Sequence, residues 1–327
     1  MKLIRSRHSI HALNVALALL AAQIAGLALA QTYTERRYDP PVGSKWQIVA
    51  ETTTTENRPG QANRDQRILT RADLSIDEKL PDGFFRVTYT NRGIDVNGPP
   101  SVKIVAEAYS AMKDIPVRAR LDKAGRPVEV ENLAEVKAKM KGIVDQIATK
   151  FDSNPKIAAV IRELLQSLFV AEGRDAATAY LEELPQLATV QNTGLKSGDV
   201  RRDTENNPNP FGGPPFKVAL TTRLDSYDEK AGKARFIRKR EFEKESLREA
   251  VMEITRRLAA AGDNKTITPE MMDMMKKVNF GIEGETVYDV DNGMTIRIDD
   301  REFTSASVMG TTFSKQQKKT VAVTRQN

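Results

Sequence analysis

Short turns rich in aspartate, asparagine and glycine divide this sequence into segments in which apolar and polar residues alternate. In residues 115–121 every second position is apolar, and the pattern resumes at Val128 after the turn DKAG. A period of two residues places the apolar side chains on one face of a β-strand. Strands joined by turns this short are antiparallel, so the sequence predicts a large antiparallel sheet. The same pattern predicts further strands over residues 45–55, 66–78, 84–91, 216–224, 234–243, 282–290, 294–303 and 312–324.

Apolar residues at helical spacing predict a smaller number of helices between these strands. One begins at Asn132, a second and more apolar one at Pro155, and a third spans residues 175–184. A fourth runs from Ser246 to Gly262, followed by a short methionine-rich helix after Thr268. Because the helices are grouped rather than alternating with strands, we expect an α+β fold with helices packed on one face of the sheet.

The first thirty residues have the features of a cleavable export signal. A basic start is followed by an apolar stretch, and Ala28-Leu29-Ala30 fits the small-x-small rule for cleavage before Gln31. The uninterrupted apolar run is shorter than a bilayer span requires, so we expect no membrane anchor after cleavage. The sequence therefore predicts a protein that is periplasmic or secreted.

Removal of this signal changes the chemistry of the chain. The chain has no cysteine, and its two histidines, His8 and His11, both lie in the signal. Catalysis by a Ser-His-Asp or Cys-His arrangement is thus excluded for the mature chain, as is a zinc site of Cys or His. The signal also carries three of the Lys and Arg residues and no Asp or Glu, so the net charge falls from +6 to +3. So small a charge argues against nucleic acid as a partner.

Residues 31–327 are expected to form a single α+β domain made of two similar halves. The best candidate for the break between them is Asn206–Pro215, with the sequence NNPNPFGGPP. Four prolines and two glycines cannot continue a helix or an interior strand. This segment would also be the docking surface if the protein is a scaffold in an envelope complex.

Ser110 and Lys113 match S-x-x-K, the nucleophile motif of penicillin-binding enzymes. The companion motifs S-D-N and K-T-G are missing, and a single S-x-x-K arises readily by chance. We therefore expect a protein that is not an enzyme, and a Ser/Lys hydrolase remains a weaker alternative.

No metal ion or cofactor is predicted. Thioethers bind Cu(I), but Met271, Met274 and Met275 share one helical face, which is the pattern of a core or cavity lining. Asp289, Asp291 and Asn292 lack the spacing of a calcium loop, and an Asn-Gly hairpin turn explains them better.

Four segments together resemble exported bacterial proteins of uncharacterised families, related to the Lol-type lipoprotein carriers. They are VGSKWQIVAETTTT, LDKAGRPVEVENL, LPQLATV followed by GLKSGD, and YDVDNGMTIRI. This resemblance implies an open half-barrel curled around helices. It also implies a concave inner face that could hold an acyl chain or a hydrophobic peptide.

The leading hypothesis is a periplasmic, non-enzymatic binding protein that holds an apolar ligand between sheet and helices. The ligand would be a lipid, an acyl chain or a hydrophobic peptide. The alternative is a structural or scaffolding partner of a cell-envelope complex, with the sheet filled by its own helices. The candidate ligand-binding residues are Trp46, Leu165, Phe169, Met271, Met274 and Met275.

Overall fold

The structure is a computed structural model that describes residues 38–99, 102, 106, 109–110, 112–140, 171–181, 183–191, 193–207, 215–261, 278–308 and 311–326. Within these ranges eleven strands form one antiparallel sheet. The strands are β1 (Lys45–Asn57), β2 (Arg64–Lys79), β3 (Phe85–Asn97), β4 (Pro116–Leu121), β5 (Pro127–Val130), β6 (Val200–Asn207), β7 (Phe216–Asp228), β8 (Lys233–Phe242), β9 (Asn279–Asp291), β10 (Met294–Val308) and β11 (Thr311–Gln326).

The first and last strands of the sheet are paired at its centre. The order across the sheet is β5-β4-β3-β2-β1-β11-β10-β9-β8-β7-β6. β1 and β11 pair along their whole length, from Lys45 opposite Gln326 to Asn57 opposite Ser314. The two edges of the sheet are the short strands β5 and β6, which do not pair with each other, so the sheet is open.

One face of the sheet carries the hydrophobic core, and we call it the inner face. Alternation puts most apolar side chains of the inner strands there, and cross-strand register aligns them into continuous rows. One row crosses six strands, and we call it the apolar row. Its members are Ala50, Val321, Ile298, Tyr288, Phe236 and Leu224, each opposite the next. All six are buried.

The described helical segments are α1 (residues 133–140), α2 (Gly173–Tyr180), α3 (Leu184–Leu187) and α4 (Lys244–Ala261). The chain between residues 131 and 199 joins the edge strand β5 to the opposite edge strand β6. Along this path α2 contacts β5 and α3 contacts β10. The topology therefore places helical segments over the apolar inner face.

The side chains at two predicted helix starts, Asn132 and Ser246, form hydrogen bonds with neighbouring strands. Asn132 uses its amide to extend the sheet, because its Oδ1 accepts from the Arg118 N–H at 2.8 Å and its Nδ2 donates to the Pro116 carbonyl at 2.9 Å. The fourth helix begins at Lys244, and the Ser246 hydroxyl accepts from the Lys217 N–H at 3.1 Å. In both cases the side chain binds a neighbouring strand, and the Asn132 amide also donates to Glu135 Oε2 of its own helix at 3.3 Å.

The predicted large, open antiparallel sheet is confirmed. Helices make up a smaller part of the described residues than the predicted α+β fold implies. β6 was missing from the sequence pattern because its sequence, VRRDTENN, has one apolar residue. It is an edge strand, where charged side chains discourage pairing with another chain. The helices predicted at Pro155 and after Thr268, and the signal of residues 1–30, lie outside the described residues.

The outer face of the sheet is covered by ion pairs between neighbouring strands. Arg67 contacts Glu51 at 2.6 Å, and Arg235 contacts Asp289 at 2.8 Å. Such exposed pairs each add little stability, but they keep this face soluble. Arg297 donates to Asp299 at 2.6 Å, and this hydrogen bond lowers the pKa of the Asp299 carboxyl below its ordinary value of 3.8.

A carboxyl whose pKa is lowered by folding stabilises the protein above its unfolded pKa, and this contribution is lost as the pH falls through the folded pKa. We expect Asp299→Asn to lower the urea midpoint slightly at pH 7. Below about pH 3.8 the difference from the unsubstituted protein should shrink toward zero. Urea unfolding at both pH values measures this, and a difference that grows in acid would contradict it.

Candidate functional site

A cavity of about 150 Å³ lies between the β3–β4 side of the sheet and the helices. The described residues that line it come from two strands, two helices and the segment before β4. They are Tyr89, Asn91, Tyr109, Met112, Ile115, Val117, Val136, Ala179 and Tyr180. Most of the lining is apolar or aromatic, as is usual for a small-molecule site.

A β-bulge at the end of the β3–β4 pairing positions the cavity floor. The pairing of β3 with β2 shifts between Asn91 and Gly93, which leaves Arg92 as the extra residue. Gly93 has φ +147°, a conformation that favours glycine, and its N–H donates to Asn91 Oδ1 at 2.9 Å. The bulge therefore fixes the Asn91 amide, while alternation along β3 places Tyr89 on the same inner face.

The cavity has a buried floor and a more exposed rim. Tyr89, Val136 and Tyr180 are buried, and Asn91 is 5% exposed. Met112 and Ile115 are half-buried, and Ala179 on α2 is exposed. Burial raises the pKa of Tyr180 above its ordinary value, so its phenol is neutral at physiological pH. The described residues that line the cavity include no Asp, Glu, Lys, Arg or His side chain.

A buried carboxyl group lies behind the cavity wall. Glu183 is 2% exposed, and its Oε2 accepts from the Tyr89 hydroxyl at 2.8 Å. Its Oε1 accepts from the Thr70 hydroxyl at 3.3 Å. These two hydroxyls supply hydrogen bonds that a buried carboxyl group requires. Tyr89 therefore has two roles, since its ring lines the cavity and its hydroxyl holds Glu183.

A second buried contact holds the helical segment of residues 183–191, which includes α3, to β10 in the other half of the sheet. The Thr295 hydroxyl of β10 donates to the Leu187 carbonyl at 2.6 Å and accepts from Gln191 Nε2 at 3.2 Å. We call the Glu183 and Thr295 contacts together the polar clamp. Between them, the space around Leu184 and Leu187 is only about 10 Å³, room for at most one water. The inner face is therefore filled here and open at the cavity.

The predicted site residues are only partly within the described chain. Trp46 lies on β1, packs against the core, and donates from Nε1 to Ser44 Oγ at 3.0 Å. It does not line the cavity. Leu165, Phe169, Met271, Met274 and Met275 lie outside the described residues, as do residues 208–214 of the predicted loop break. On either side of that loop β6 and β7 pair directly in the sheet.

The S-x-x-K pair lies near the rim of the cavity. Ser110 and Lys113 are both exposed, and the Lys113 N–H donates to the Ser110 carbonyl in a backbone turn. The acidic residues near 289–292 form the expected hairpin turn, with Asn292 at φ +47° and Gly293 at φ +80°. In the described ranges, no three acidic residues come together as metal ligands.

Sequence reasoning missed the residues of the cavity floor, although one signal was present. Phe85, Val87, Tyr89 and Asn91 occupy alternate positions of β3, so the pattern brings a polar amide onto the apolar face. Such an amide must be paired with a partner inside the protein. Its position beside a helix more than 80 residues later in the chain could not be read from the strand alone.

A polar cluster on the inner face of β8–β10 depends on a glycine. Arg240 extends across Gly284 to reach Asp300 at 3.1 Å and Glu302 at 3.4 Å on β10. Thr286 accepts from the same guanidinium at 3.3 Å. A Cβ atom on Gly284 would lie 2.8 Å from Arg240 Nη2 and 3.1 Å from the Arg301 carbonyl. Glycine thus leaves the space that the guanidinium occupies.

We expect Gly284→Ala to lower the free energy of unfolding by about 2 kcal/mol, because the methyl group displaces Arg240 from its carboxylate partners. Gly281→Ala on the same strand is the matched control, since its Cβ atom would meet only the Ser305 hydroxyl at 3.2 Å. Urea unfolding of both variants measures the difference. Equal effects at the two glycines would show that Arg240 is not held as described.

Comparisons with known proteins identify no family. No family model and no curated protein matches the chain. Among solved structures, lipovitellin, studied for its lipid–protein interactions, has a TM-score of 0.43 and 9% identity over 88% of this chain. The chain spans only 26% of that lipovitellin chain.

Two further structures are less similar. DynF from the dynemicin biosynthesis pathway of Micromonospora chersina has a TM-score of 0.20 and 5% identity, covering 88% of this chain and 83% of DynF. An outer membrane channel from Pseudomonas putida F1 has a TM-score of 0.16 and 7% identity, covering 88% and 97%. Likenesses this weak carry no functional argument, so the site is interpreted from its own geometry. No helix in the described ranges combines the length and apolar character that a membrane crossing requires.

Proposed function

We propose that this protein is a non-enzymatic binding protein that holds an apolar ligand between its sheet and its helices. The cavity beside Tyr89 and Tyr180 supports this proposal, since it is an apolar space with a partly exposed rim. Transfer of apolar atoms from water into such a space contributes about 0.8 kcal/mol per CH₂ group. The Glu183 contact of the polar clamp holds Tyr89, whose ring lines the cavity, so this part of the wall is preorganised.

In this proposal the open sheet curls around the helices as a half-barrel, and the protein acts in the periplasm. The export pattern that ends at Ala30 supports this location. Intact-mass measurement of the protein from its native envelope should then give a chain that begins at Gln31. A chain that retains residues 1–30 would overturn the proposed location.

Native purification followed by mass spectrometry tests the binding function. We expect an apolar small molecule to co-purify in a fixed ratio and to be lost after unfolding and refolding. A fluorescent apolar probe added to the refolded protein should compete with that molecule. Absence of any co-purifying molecule, together with absence of probe binding, would overturn the proposal.

The filled space around Leu184 and Leu187 supports a second candidate, a scaffold in a cell-envelope complex. In that case the helices complete the sheet rather than enclose a ligand. Crosslinking in intact cells should recover one dominant protein partner, and deletion of residues 208–214 should abolish its recovery. Recovery that is unchanged by the deletion would count against the scaffold.

A further inference from the structure

We infer that the ligand of the cavity is a neutral, single aromatic ring that carries one hydrogen-bond acceptor, as in a phenol. This inference rests on the proposed binding function and names the class of ligand. It joins three observations that are independent of one another: the size of the cavity, its aromatic lining, and a buried amide on its floor.

The size of the cavity restricts the ligand to about one ring. A volume of about 150 Å³ equals that of an engineered protein cavity that binds benzene. Pockets for larger drug-sized molecules have volumes of roughly 300–1,000 Å³. A complete lipid or a fused ring system does not fit, whereas a monocyclic compound or a short aliphatic chain does.

The lining favours an aromatic ring over an aliphatic chain. Tyr89, Tyr109 and Tyr180 bring three rings to the cavity from β3, the segment before β4, and α2. Aromatic pairs gain attraction beyond the burial of area, because the positive edge of one ring meets the negative face of another. The Met112 thioether adds a favourable sulfur–aromatic contact.

The Asn91 amide supplies a hydrogen-bond donor on the floor. Its Oδ1 accepts from the Gly93 N–H at 2.9 Å, and this hydrogen bond distinguishes the amide oxygen from the amide nitrogen. Its Nδ2 donates to the Tyr109 carbonyl at 3.5 Å, the outer limit of a hydrogen bond. An NH₂ group has two protons, so one N–H remains for an acceptor atom on a ligand.

The ligand is neutral because the described lining of the cavity offers no countercharge. The described lining contains no Asp, Glu, Lys, Arg or His side chain, and the nearby Glu183 carboxyl group accepts hydrogen bonds from Tyr89 and Thr70. A carboxylate or ammonium group on the ring would lose its hydration without gaining a partner. The cavity should therefore select a phenol against a benzoate.

Isothermal titration calorimetry of the full chain with four probes tests this selection. We expect p-cresol to bind, toluene to bind up to about tenfold more weakly because it lacks the acceptor, and benzoate not to bind measurably. The fourth probe, 1-hexanol, represents the aliphatic alternative and should bind more weakly than p-cresol.

A variant at the rim locates the binding. Ala179→Phe should fill the cavity from its exposed side and weaken p-cresol binding by at least about tenfold. Thr178→Phe is the matched control, because Thr178 is the neighbouring exposed residue of α2 and does not line the cavity. Both substitutions are at exposed positions, so both variants should fold, and thermal unfolding checks this.

The outcomes separate the ligand class from the proposed function. If 1-hexanol binds at the Ala179-sensitive site and p-cresol does not, the aromatic class is wrong and the binding function stands. Benzoate binding as tight as that of p-cresol would also overturn the inference. If none of the four probes binds but an apolar molecule co-purifies with the native protein, the inference fails and the binding function stands; if nothing co-purifies either, both fail. Binding of p-cresol that Ala179→Phe leaves unchanged would place the ligand elsewhere and overturn the inference.

Discussion

Replacing Phe236 by alanine is expected to lower the free energy of unfolding by about 4 kcal/mol. Phe236 lies on β8 at the middle of the second half of the sheet, and its side chain is fully buried. In the apolar row it lies between Leu224 and Tyr288. Loss of the ring removes its transfer free energy and leaves a space that paired strands on both sides cannot close.

The same substitution at Phe303 provides the control. Phe303 lies on β10, so its strand is equally well paired, but its side chain is 43% exposed. We expect Phe303→Ala to cost less than about 0.5 kcal/mol. Denaturant unfolding followed by circular dichroism measures both values. Similar losses for the two variants would contradict the assignment of the inner face as the core.

Replacing Tyr89 by phenylalanine is expected to cost about 2 kcal/mol, although only one oxygen atom is removed. That oxygen donates to the buried Glu183 carboxyl group at 2.8 Å. After the substitution, the Thr70 hydroxyl at 3.3 Å is the remaining side-chain donor to this carboxyl group in the described structure. Water does not reach a side chain that is 2% exposed, so the lost bond is not replaced.

The neighbouring residue offers a matched comparison on the outer face. The Thr88 hydroxyl donates to the Asp77 carboxylate at 2.7 Å, a bond of the same type that is exposed to solvent. Thr88→Val should therefore cost little, since water replaces the hydroxyl. Chemical denaturation of both variants gives the comparison. If Tyr89→Phe costs no more than Thr88→Val, then the Glu183 contact does not hold the helical segment.

The sheet could be predicted from the sequence because its pattern is local. A few neighbouring residues are enough to predict the strand at residues 115–121 and the turns at Gly83, Gly125 and Gly293. β6 could not be found in this way, since an edge strand needs no apolar face. The order of the strands was also not predicted, because the pairing of β1 with β11 depends on residues far apart in the chain.

The cavity could be predicted only as a general idea of an apolar space between sheet and helices. Its actual lining joins Tyr89 and Asn91 of β3 to Tyr180 of α2, a contact set by the path of the chain between the two sheet edges. The prediction instead followed the most apolar segments, around Leu165 and Met271, and their placement stays a prediction. Trp46, a predicted ligand-binding residue, packs against the core rather than beside the cavity.

The central position of β1 delays its pairing with β11 during biosynthesis. β1 is the first of the described strands to be made, and its partner β11 follows roughly 270 residues later. At a ribosomal rate of about 5–20 residues per second, the central pairing must wait for tens of seconds. Contacts between such distant residues also form slowly, because the entropy cost of closing a long loop comes before the stabilising contacts form. If the protein is exported as proposed, this delay would keep the chain unfolded for export until β11 has been translated.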